Sequence, residues 1–310
     1  MSTITKTLDR NKPRRSLSDS TQCYLLISLQ IIGFFVFTIY PIIWAISKSW
    51  FYYNGNDLET TFVGWQNFAI AFRDTRYWST WAYTFKFAAY KISIEIPLAL
   101  ILAVLISRGR KGSNFFRSLC YLPHIISTAI VGVVISNMFD YFGILNKILT
   151  SVGFIDSPID WFASKSTATA VLVSGSTWST FGINVLYFCA ALNNVPEVLY
   201  ESAELDGAGK VRQFFSITLP MIAPVASTIL LLSINGTLHV GEYILVTTGG
   251  GPAGTTNTVG SYLINSYVPG FADASVNIGY GCALSLITTI IYSTIAVIYT
   301  KSTKKLQNLY

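Results

Sequence analysis

Side chains that could act as nucleophiles or metal ligands are few and widely spaced. The only two histidines, His124 and His239, lie far apart in the chain, so they cannot supply the paired ligands of a zinc site on one helix. No CxxC pair and no GxxxxGK[ST] phosphate-binding loop occurs. The sequence therefore predicts no catalytic residue, no metal site and no cofactor in this chain. The four cysteines all lie in apolar stretches and are Cys23, Cys120, Cys189 and Cys282.

Charged residues inside apolar stretches are the remaining candidates for chemistry, which would be proton or ion transfer. Lys91 and Glu95 are four residues apart, a spacing at which two side chains meet on one face of a helix. The alternative is that Lys91 extends its ammonium to a membrane surface. Glu242 follows a long apolar stretch and either needs a partner or water or lies at the outer interface. The sequence leaves the roles of all three open.

The composition indicates an integral membrane protein. Of 310 residues, 52% are hydrophobic and only 12% are charged, whereas a soluble domain carries about 25% charged residues. A single soluble domain cannot bury so much apolar surface, and disorder requires the opposite composition. We therefore interpret the net charge of +6 by the side of the membrane on which the basic residues lie and by their contact with lipid. No nucleic-acid partner is predicted.

Six stretches can each hold a helix that crosses the hydrocarbon core, which takes about 20 apolar residues. Five are free of charge, and the second is included although it holds Lys86, Lys91 and Glu95. The predicted fold class is therefore all-α, a polytopic membrane protein with six transmembrane helices. These helices are expected within residues 21–47, 80–107, 118–139, 166–195, 213–241 and 274–300.

The distribution of Lys and Arg predicts the orientation. With the N-terminus inside, fourteen of the 21 basic residues fall in inside segments and five in outside segments. Because cytoplasmic loops carry the excess of Lys and Arg, both termini are predicted to be cytoplasmic. The chain then divides into a basic tail at 1–20, a transmembrane domain at 21–300 and a second cytoplasmic tail at 301–310.

Two segments outside the predicted spans have internal features. The stretch 243–272 is uncharged but rich in Gly and Pro, which break helices, so we expect an extended loop with one short helical piece. The outside segment 48–79 is expected to carry a surface helix around Trp65 to Phe72. A tight inside turn is expected at 108–112.

The predicted cytoplasmic loop 194–220 has the most informative pattern. Pro196 suits the first turn of a helix, and Glu197, Glu201 and Glu204 recur on one stripe. The pair Asp206-Gly207 ends this helix, and residues 208–216 can form a second one. Small residues on one face favour docking into the groove of a partner. The alternative is an amphipathic hairpin that lies on lipid.

Three elements of this loop resemble the EAA loop of binding-protein-dependent ABC import permeases. That pattern is E-A-A, three residues, G, nine residues and I-x-L-P, and the spacing is kept here, with Ser202 in place of the middle Ala. The resemblance implies the type I ABC importer permease fold and contact with an ATPase. The residues it assigns to ATPase coupling are Glu201, Ser202, Ala203, Asp206, Gly207, Ala208, Ile217, Leu219 and Pro220.

Two further motifs point to the carbohydrate type of this family. The run Thr248 to Pro252 resembles the T-x-G-G-P of carbohydrate permeases, and the run Phe62 to Phe68 resembles an element that precedes one of their helices. The resemblance is to the subfamily of the maltose and glycerol-phosphate permeases, in a shorter six-helix version.

The resemblance also implies partners and a mechanism. It implies a second related permease in a heterodimer, two ABC ATPase subunits that bind ATP and Mg, and an extracytoplasmic solute-binding protein, in the cell membrane of a prokaryote. This chain would be a non-catalytic subunit that moves a sugar or oligosaccharide inward by alternating access. The helix–turn–helix at 197–216 would transmit the movement of the ATPases.

The candidate substrate path lies on the fourth and fifth spans. Some positions come from alignment with the maltose permease around the EAA loop, and others are polar or aromatic neighbours. The alternative is ordinary helix packing by Ser, Thr and Asn. The candidates are Ser176, Trp178, Ser179, Thr180, Ile183, Asn184, Tyr187, Asn235, Gly236, Thr237, His239, Val240 and Glu242.

Two other classes of function stay open at this point. An ion- or proton-coupled secondary carrier would use buried ionisable residues, for which Lys91, Glu95 and Glu242 are the candidates. An import permease for a non-sugar solute such as glycerol phosphate would share the EAA loop. An intramembrane enzyme lacks the paired residues that it would need.

Overall fold

The computed structural model describes residues 19–107, 112–272 and 276–307. The predicted basic tail up to residue 18, the predicted inside turn at 108–111 and the end of the second tail at 308–310 lie outside these ranges. The predicted all-α fold is confirmed. The described helices are α1 Asp19–Phe34, α2 Tyr40–Lys48, α3 Gln66–Arg73, α4 Thr75–Ser107, α5 Ser113–Ile125, α6 Thr128–Met138, α7 Ile144–Ser151, α8 Lys165–Asn193, α9 Glu197–Leu205, α10 Lys210–Gln213, α11 Leu219–Leu238, α12 Glu242–Thr248, α13 Val259–Tyr267 and α14 Ile278–Gln307.

Four continuous helical segments of the described chain are long and apolar enough to cross a membrane, and the bent pair α5–α6 makes a fifth if it counts as one span. Helix α8 has the required length of 29 residues, but its many Ser, Thr and Gly residues keep it out of this group. The chain is thus a multi-pass membrane protein, and the count of six spans stays a prediction. The four segments are Gln22–Lys48, Thr75–Ser107, Lys210–Leu238 and Ile278–Thr303.

The third predicted span is not one straight helix. Helices α5 and α6 meet at an angle of 93°, at a break where Ile126 is extended and Pro123 lies in the last turn of α5. Packing explains the separation, because α5 crosses α8 so closely at Gly182 that a Cβ there would overlap the carbonyl of Cys120. Helix α6 turns away to pack on α12, with Gly132 against Val246.

The segment 243–272 is more helical than the sequence analysis predicts. It forms two helices rather than one short piece, and the expectation of a loop is wrong for Tyr243 to Thr248. The buried side chains of Tyr243 and Ile244 join the same core cluster as Phe87 and Leu172. Burial against three other helices outweighs the local effect of the glycines, which begin only at Gly249.

The segment between α2 and α4 forms a small cap at one end of the bundle. The two-residue strands β1 Phe51–Tyr52 and β2 Thr61–Phe62 pair antiparallel. The predicted surface helix is confirmed as α3. The buried Asn67 amide donates to the carbonyls of Ser49 and Phe51, at 2.9 and 3.0 Å, so it fixes α3 against the end of α2.

Candidate functional site

A cavity of about 410 Å³, which we call the polar cavity because most of its lining residues have polar side chains, lies between α4, α8, α11 and the start of α12. Eleven of the thirteen candidate substrate-path residues line it. Six of them lie on α8, two lie on α11, and three lie on the turn after α11 and at the start of α12, so one face of α8 lies opposite the end of α11. The eleven are Ser176, Ser179, Thr180, Ile183, Asn184, Tyr187, Gly236, Thr237, His239, Val240 and Glu242.

Two candidates lie elsewhere. Trp178 lines a separate, mostly apolar groove of about 980 Å³ that α4 and α8 form on another side of the bundle. Trp178 is offset from Ser176 and Ser179 around the helix, and this rotation takes its ring out of the cavity. Asn235 is exposed, and its carbonyl lies 2.8 Å from Nδ1 of His239. Neither side chain is among those that line the polar cavity.

The Lys91–Glu95 pair lies in the cavity wall. The Lys91 ammonium donates to Oε2 of Glu95 at 2.7 Å, and their side chains are only 4% and 1% exposed. The prediction that the two side chains meet on one helix face is confirmed, and the alternative in which Lys91 reaches a membrane surface is wrong.

The pair joins three helices. Oε1 of Glu95 accepts hydrogen bonds from Thr180 Oγ1 at 2.7 Å and from Asn184 Nδ2 at 2.8 Å, both on α8. Lys91 Nζ also donates to Thr237 Oγ1 on α11, at 3.1 Å. The Asn184 amide further donates to Ser233 Oγ at 3.0 Å. Each charged group is therefore satisfied by an opposite charge and by hydrogen bonds, as buried charges require.

Three further acidic or histidine side chains line the cavity. Glu242, which begins α12, is exposed, and His124 and His239 line the same space. The His239 ring packs on Tyr292, with ring centroids 4.4 Å apart. Lys91 and Glu95 neutralise each other, and within the described ranges Glu242 forms no salt bridge, so its carboxylate is the remaining acidic group of this lining.

Several lining residues were not predicted from the sequence, and neither was the place of Lys91 and Glu95 in the cavity wall. Lys91 and Glu95 were singled out by their spacing, but nothing in the sequence placed them beside Thr180 and Asn184. Ser233 could have been predicted, because it is a polar residue one helical turn before the candidate Thr237. The residues missed as lining are His124, Thr128, Leu232, Ser233, Gly241 and Tyr243.

The predicted coupling loop forms an elbow, which we define as α9, the turn at 206–209 and α10. Helix α9 ends at Leu205, and Gly207 has a φ of +78°, a conformation that favours glycine. The Ala208 amide donates to the carbonyl of Ala203 at 2.8 Å, and the side chain of Gln213 donates to the carbonyl of Ala208 at 3.0 Å. The predicted stop at Asp206-Gly207 is confirmed.

The second half of the elbow differs from the prediction. Residues 208–216 do not form a separate helix, because α10 continues through a π-helical turn, Phe214–Thr218, into α11. Pro220 lies in the first turn of α11, directly after the π-helical turn, and the helix continues through it. One continuous helix, Lys210–Leu238, thus joins the elbow to the cavity.

The acidic stripe of α9 faces a polar recess of about 610 Å³. Glu197, Glu201 and Glu204 line this recess, and Lys210 forms an ion pair with Glu204 across the turn. The ammonium of Lys210 lowers the pKa of the Glu204 carboxyl below its ordinary value. Tyr200 is hydrogen-bonded to Thr218 at 2.8 Å, which ties α9 to the base of α11.

The coupling candidates fall on three parts of this elbow. Glu201, Ser202 and Ala203 lie on α9, with Ser202 exposed and Ala203 half-buried. Asp206, Gly207 and Ala208 form the turn. Ile217, Leu219 and Pro220 lie on the continuous helix that follows. Apolar side chains are exposed on the outer face of the elbow, namely Val198 at 69% and Leu205 at 91%.

Residues 95–307 match the family model described as the inner membrane component of binding-protein-dependent transport systems. The chain belongs to this family. It is therefore a transport component, as the EAA loop predicts. Permease proteins of known systems are similar over nearly the whole chain. The arabinooligosaccharides permease AraP of Bacillus subtilis is 33% identical, over 90% of this chain and 87% of its own length.

A second relative is named for a different solute. The sn-glycerol-3-phosphate permease UgpA of Agrobacterium fabrum is 30% identical, over 86% of this chain and 89% of its own length. These names confirm the predicted resemblance to the carbohydrate and glycerol-phosphate permeases. Among solved structures, a chain of a bacterial ABC transporter that imports the acidic polysaccharide alginate shares the fold, with a TM-score of 0.77, 21% identity and coverage of 93% of this chain and 97% of that chain.

Proposed function

We propose that this chain is the membrane permease subunit of an ATP-driven importer that moves a neutral sugar or oligosaccharide into a prokaryotic cell. The observation that carries the choice of substrate is the polar cavity. Its wall offers hydroxyl, amide and aromatic groups, and its one ammonium is already paired with a carboxylate. Its volume falls in the range of about 300–1,000 Å³ that is typical of small-molecule sites.

The charge of the cavity favours a neutral solute over an anionic one. A phosphate or uronate group needs a free cation or helix N-terminus for its oxygens. Lys91 is committed to Glu95, and at the N-terminus of α12, which lies in the cavity wall, the carboxylate of Glu242 would repel an anion. A sugar, whose hydroxyls both donate and accept hydrogen bonds, fits such a lining without any charge.

The coupling role of the elbow follows from its connection to the cavity. Helix Lys210–Leu238 has 29 residues, so it is roughly 44 Å long at 1.5 Å per residue. A displacement of the elbow moves the same rod that presents Gly236 and Thr237 to the cavity. The exposed Val198 and Leu205 offer an apolar face to an ATPase groove, and Glu201 would make a charged contact beside it.

The proposal includes the partners that the family resemblance implies. Two ATPase subunits bind ATP and Mg, a second related permease completes the heterodimer, and an extracytoplasmic binding protein delivers the solute. Both termini and the elbow face the cytoplasm, in line with the excess of Lys and Arg on that side. The chain itself catalyses no reaction and moves solute by alternating access.

The test is uptake by the reconstituted complex in proteoliposomes. The solutes to compare are an arabino-oligosaccharide, a glucose disaccharide, an alginate oligosaccharide and sn-glycerol 3-phosphate. We expect ATP-dependent uptake of a neutral sugar and none of the two anions. Uptake of an anion alone would overturn the proposed substrate class but leave the importer intact.

A second candidate function is an ion- or proton-coupled carrier, which the buried Lys91–Glu95 pair favours as an ion site. The two functions differ in their energy source. Uptake by this chain without any ATPase, driven by a proton gradient and abolished by a protonophore, would replace the importer with the carrier. Uptake that needs ATP and survives the protonophore would exclude the carrier.

A further inference from the structure

Two charged side chains are buried in the cavity wall at positions that the proposed substrate contacts do not include. Glu95 is 1% exposed and Lys91 is 3% exposed. Replacement of a buried ion pair by apolar residues is often neutral or stabilising, so stability alone does not explain a charged pair at this place. The question is what a carboxylate and an ammonium at these places do for their neighbours.

Glu95 determines the direction of hydrogen bonds on α8. An ionised carboxylate only accepts, so Asn184 must turn its NH₂ group toward it. The two amide hydrogens of Asn184 go to Glu95 and to Ser233. Among the described residues no hydrogen bond reaches Asn184 Oδ1, and the Thr180 hydroxyl gives its one hydrogen to Glu95 or to the carbonyl of Ser176. Asn184 and Thr180 therefore keep only lone pairs for the cavity.

Lys91 has the opposite effect on α11. Its ammonium only donates, and Thr237 Oγ1 accepts from it. The hydrogen of Thr237 is left without an acceptor within the described ranges. The pair thus gives the cavity acceptors on its α8 wall and a donor on its α11 wall.

We propose that Lys91 and Glu95 are positioning residues that fix this polarity, so that a sugar hydroxyl donates to Asn184 Oδ1 or Thr180 Oγ1 and a neighbouring oxygen accepts from Thr237. The proposal rests on the proposed transport of a neutral sugar. The pair itself does not touch the sugar. It prevents the amide of Asn184 from rotating and presenting its NH₂ group to the cavity, which would exchange an acceptor for a donor.

The experiment compares two double variants that both remove the two charges. Lys91→Met with Glu95→Gln keeps a carbonyl oxygen that can accept from Asn184 and Thr180. Lys91→Met with Glu95→Leu has no acceptor at that place. Uptake kinetics are measured with the sugar of the four-solute panel that the wild-type complex transports, and assembly is checked by copurification of the partner subunits.

We expect the KM of the Gln variant to stay within about threefold of wild type and that of the Leu variant to rise about tenfold, as the loss of one oriented hydrogen bond implies. The maximal rate per assembled complex should change little in both. A merely structural pair would lower the amount of complex and leave KM unchanged, so equal KM values in the two variants would overturn the proposal.

If the Leu variant does not assemble, a variant in which the two charges are exchanged tests the positioning role instead. Lys91→Glu with Glu95→Lys keeps the ion pair but places a donor beside Asn184 and Thr180. We expect a KM at least as high as that of the Leu variant, whereas wild-type KM would overturn the proposal. If wild type transports no sugar at all, the proposed function fails. If wild type transports a sugar and the variants do not differ, only the positioning role fails.

Discussion

The contacts that form the elbow and those that form the cavity differ greatly in the sequence separation of the residues they join. The elbow closes within one stretch of sequence, because Tyr200 pairs with Thr218, only 18 positions away. The cavity depends on contacts across the chain, since Glu95 binds Asn184 89 positions away and Lys91 binds Thr237 146 positions away. A local motif specifies the first, whereas the packing of separate helices specifies the second.

The two regions also differ in how they hold charge. The Glu95 side chain is 1% exposed and is surrounded by donors, whereas the Glu204 side chain is 54% exposed and its partner Lys210 is 65% exposed. A buried unpaired charge is costly, and an exposed one is not. We therefore expect the cavity to be sensitive to side-chain charge and the elbow to be sensitive to backbone conformation.

The largest effect is expected from Lys91→Met, which leaves the Glu95 carboxylate buried without its counter-ion. Breaking a buried pair in this way costs roughly 3–5 kcal/mol. The measurement is thermal unfolding of the purified complex in detergent. The matched control is Lys86→Met on the same helix, because Lys86 is exposed. Equal unfolding temperatures of the two variants would show that Lys91 is not a buried charge in the assembled protein.

Gly207→Ala comes next and tests the elbow through its backbone. Gly207 has a φ of +78°, and no atom lies within 4 Å of the place that a Cβ would take, so the substitution adds only the left-handed strain of about 1–2 kcal/mol. We expect ATP-driven uptake to fall about tenfold, with unchanged expression of the chain.

Gly209→Ala is the control for this elbow variant. Gly209 has a φ of −67° and equal free space, so any residue adopts its conformation. It should transport like wild type. Identical uptake in the two alanine variants would mean that the shape of the turn does not transmit movement to the transmembrane helices.

Local sequence predicted the elbow well, because each of its features rests on a residue with a specific conformational preference. The acidic start at Glu197 and the stop at Gly207 need no tertiary information. The error was the separate second helix at 208–216. In the structure its residues from Lys210 onward begin the long helix, which continues through the π-helical turn Phe214–Thr218 into α11.

The fold and the cavity were predictable only in part. The apolar stretches gave the long helices, and the predicted substrate path supplied eleven of the nineteen residues that line the cavity. The 93° bend between α5 and α6 and the burial of α12 arise from close contacts at Gly182 and Gly132. Such contacts depend on which helices meet, and hydropathy along one chain does not contain that information.

Gly236→Ala is expected to have a smaller effect and tests the cavity by volume alone. Gly236 lines the cavity, lies within α11, and has no atom within 4 Å of an added Cβ. The methyl group narrows the cavity without a clash, and helix stability should rise by up to about 1 kcal/mol. We expect a KM that rises severalfold for a trisaccharide and less for a disaccharide. Gly33→Ala in α1, which has equal space, should change neither value.

The smallest effect is expected from Lys210→Gln, which removes the exposed ion pair with Glu204. Lys210 lowers the pKa of Glu204, so in wild type the pair is present at neutral pH and is lost only as the pH falls through that lowered value. Because both side chains are more than half exposed, the pair adds little stability, and Lys210→Gln should leave the unfolding temperature at pH 7 nearly unchanged. Hydrogen exchange of the turn amides at low ionic strength is the sensitive measurement, because exposed pairs weaken as salt is added. Wild type should be better protected there than the variant, and the difference should vanish at high salt.

A difference that persists at high salt would place the pair in a buried setting, and the contrast between an exposed elbow and a buried cavity pair would then be wrong.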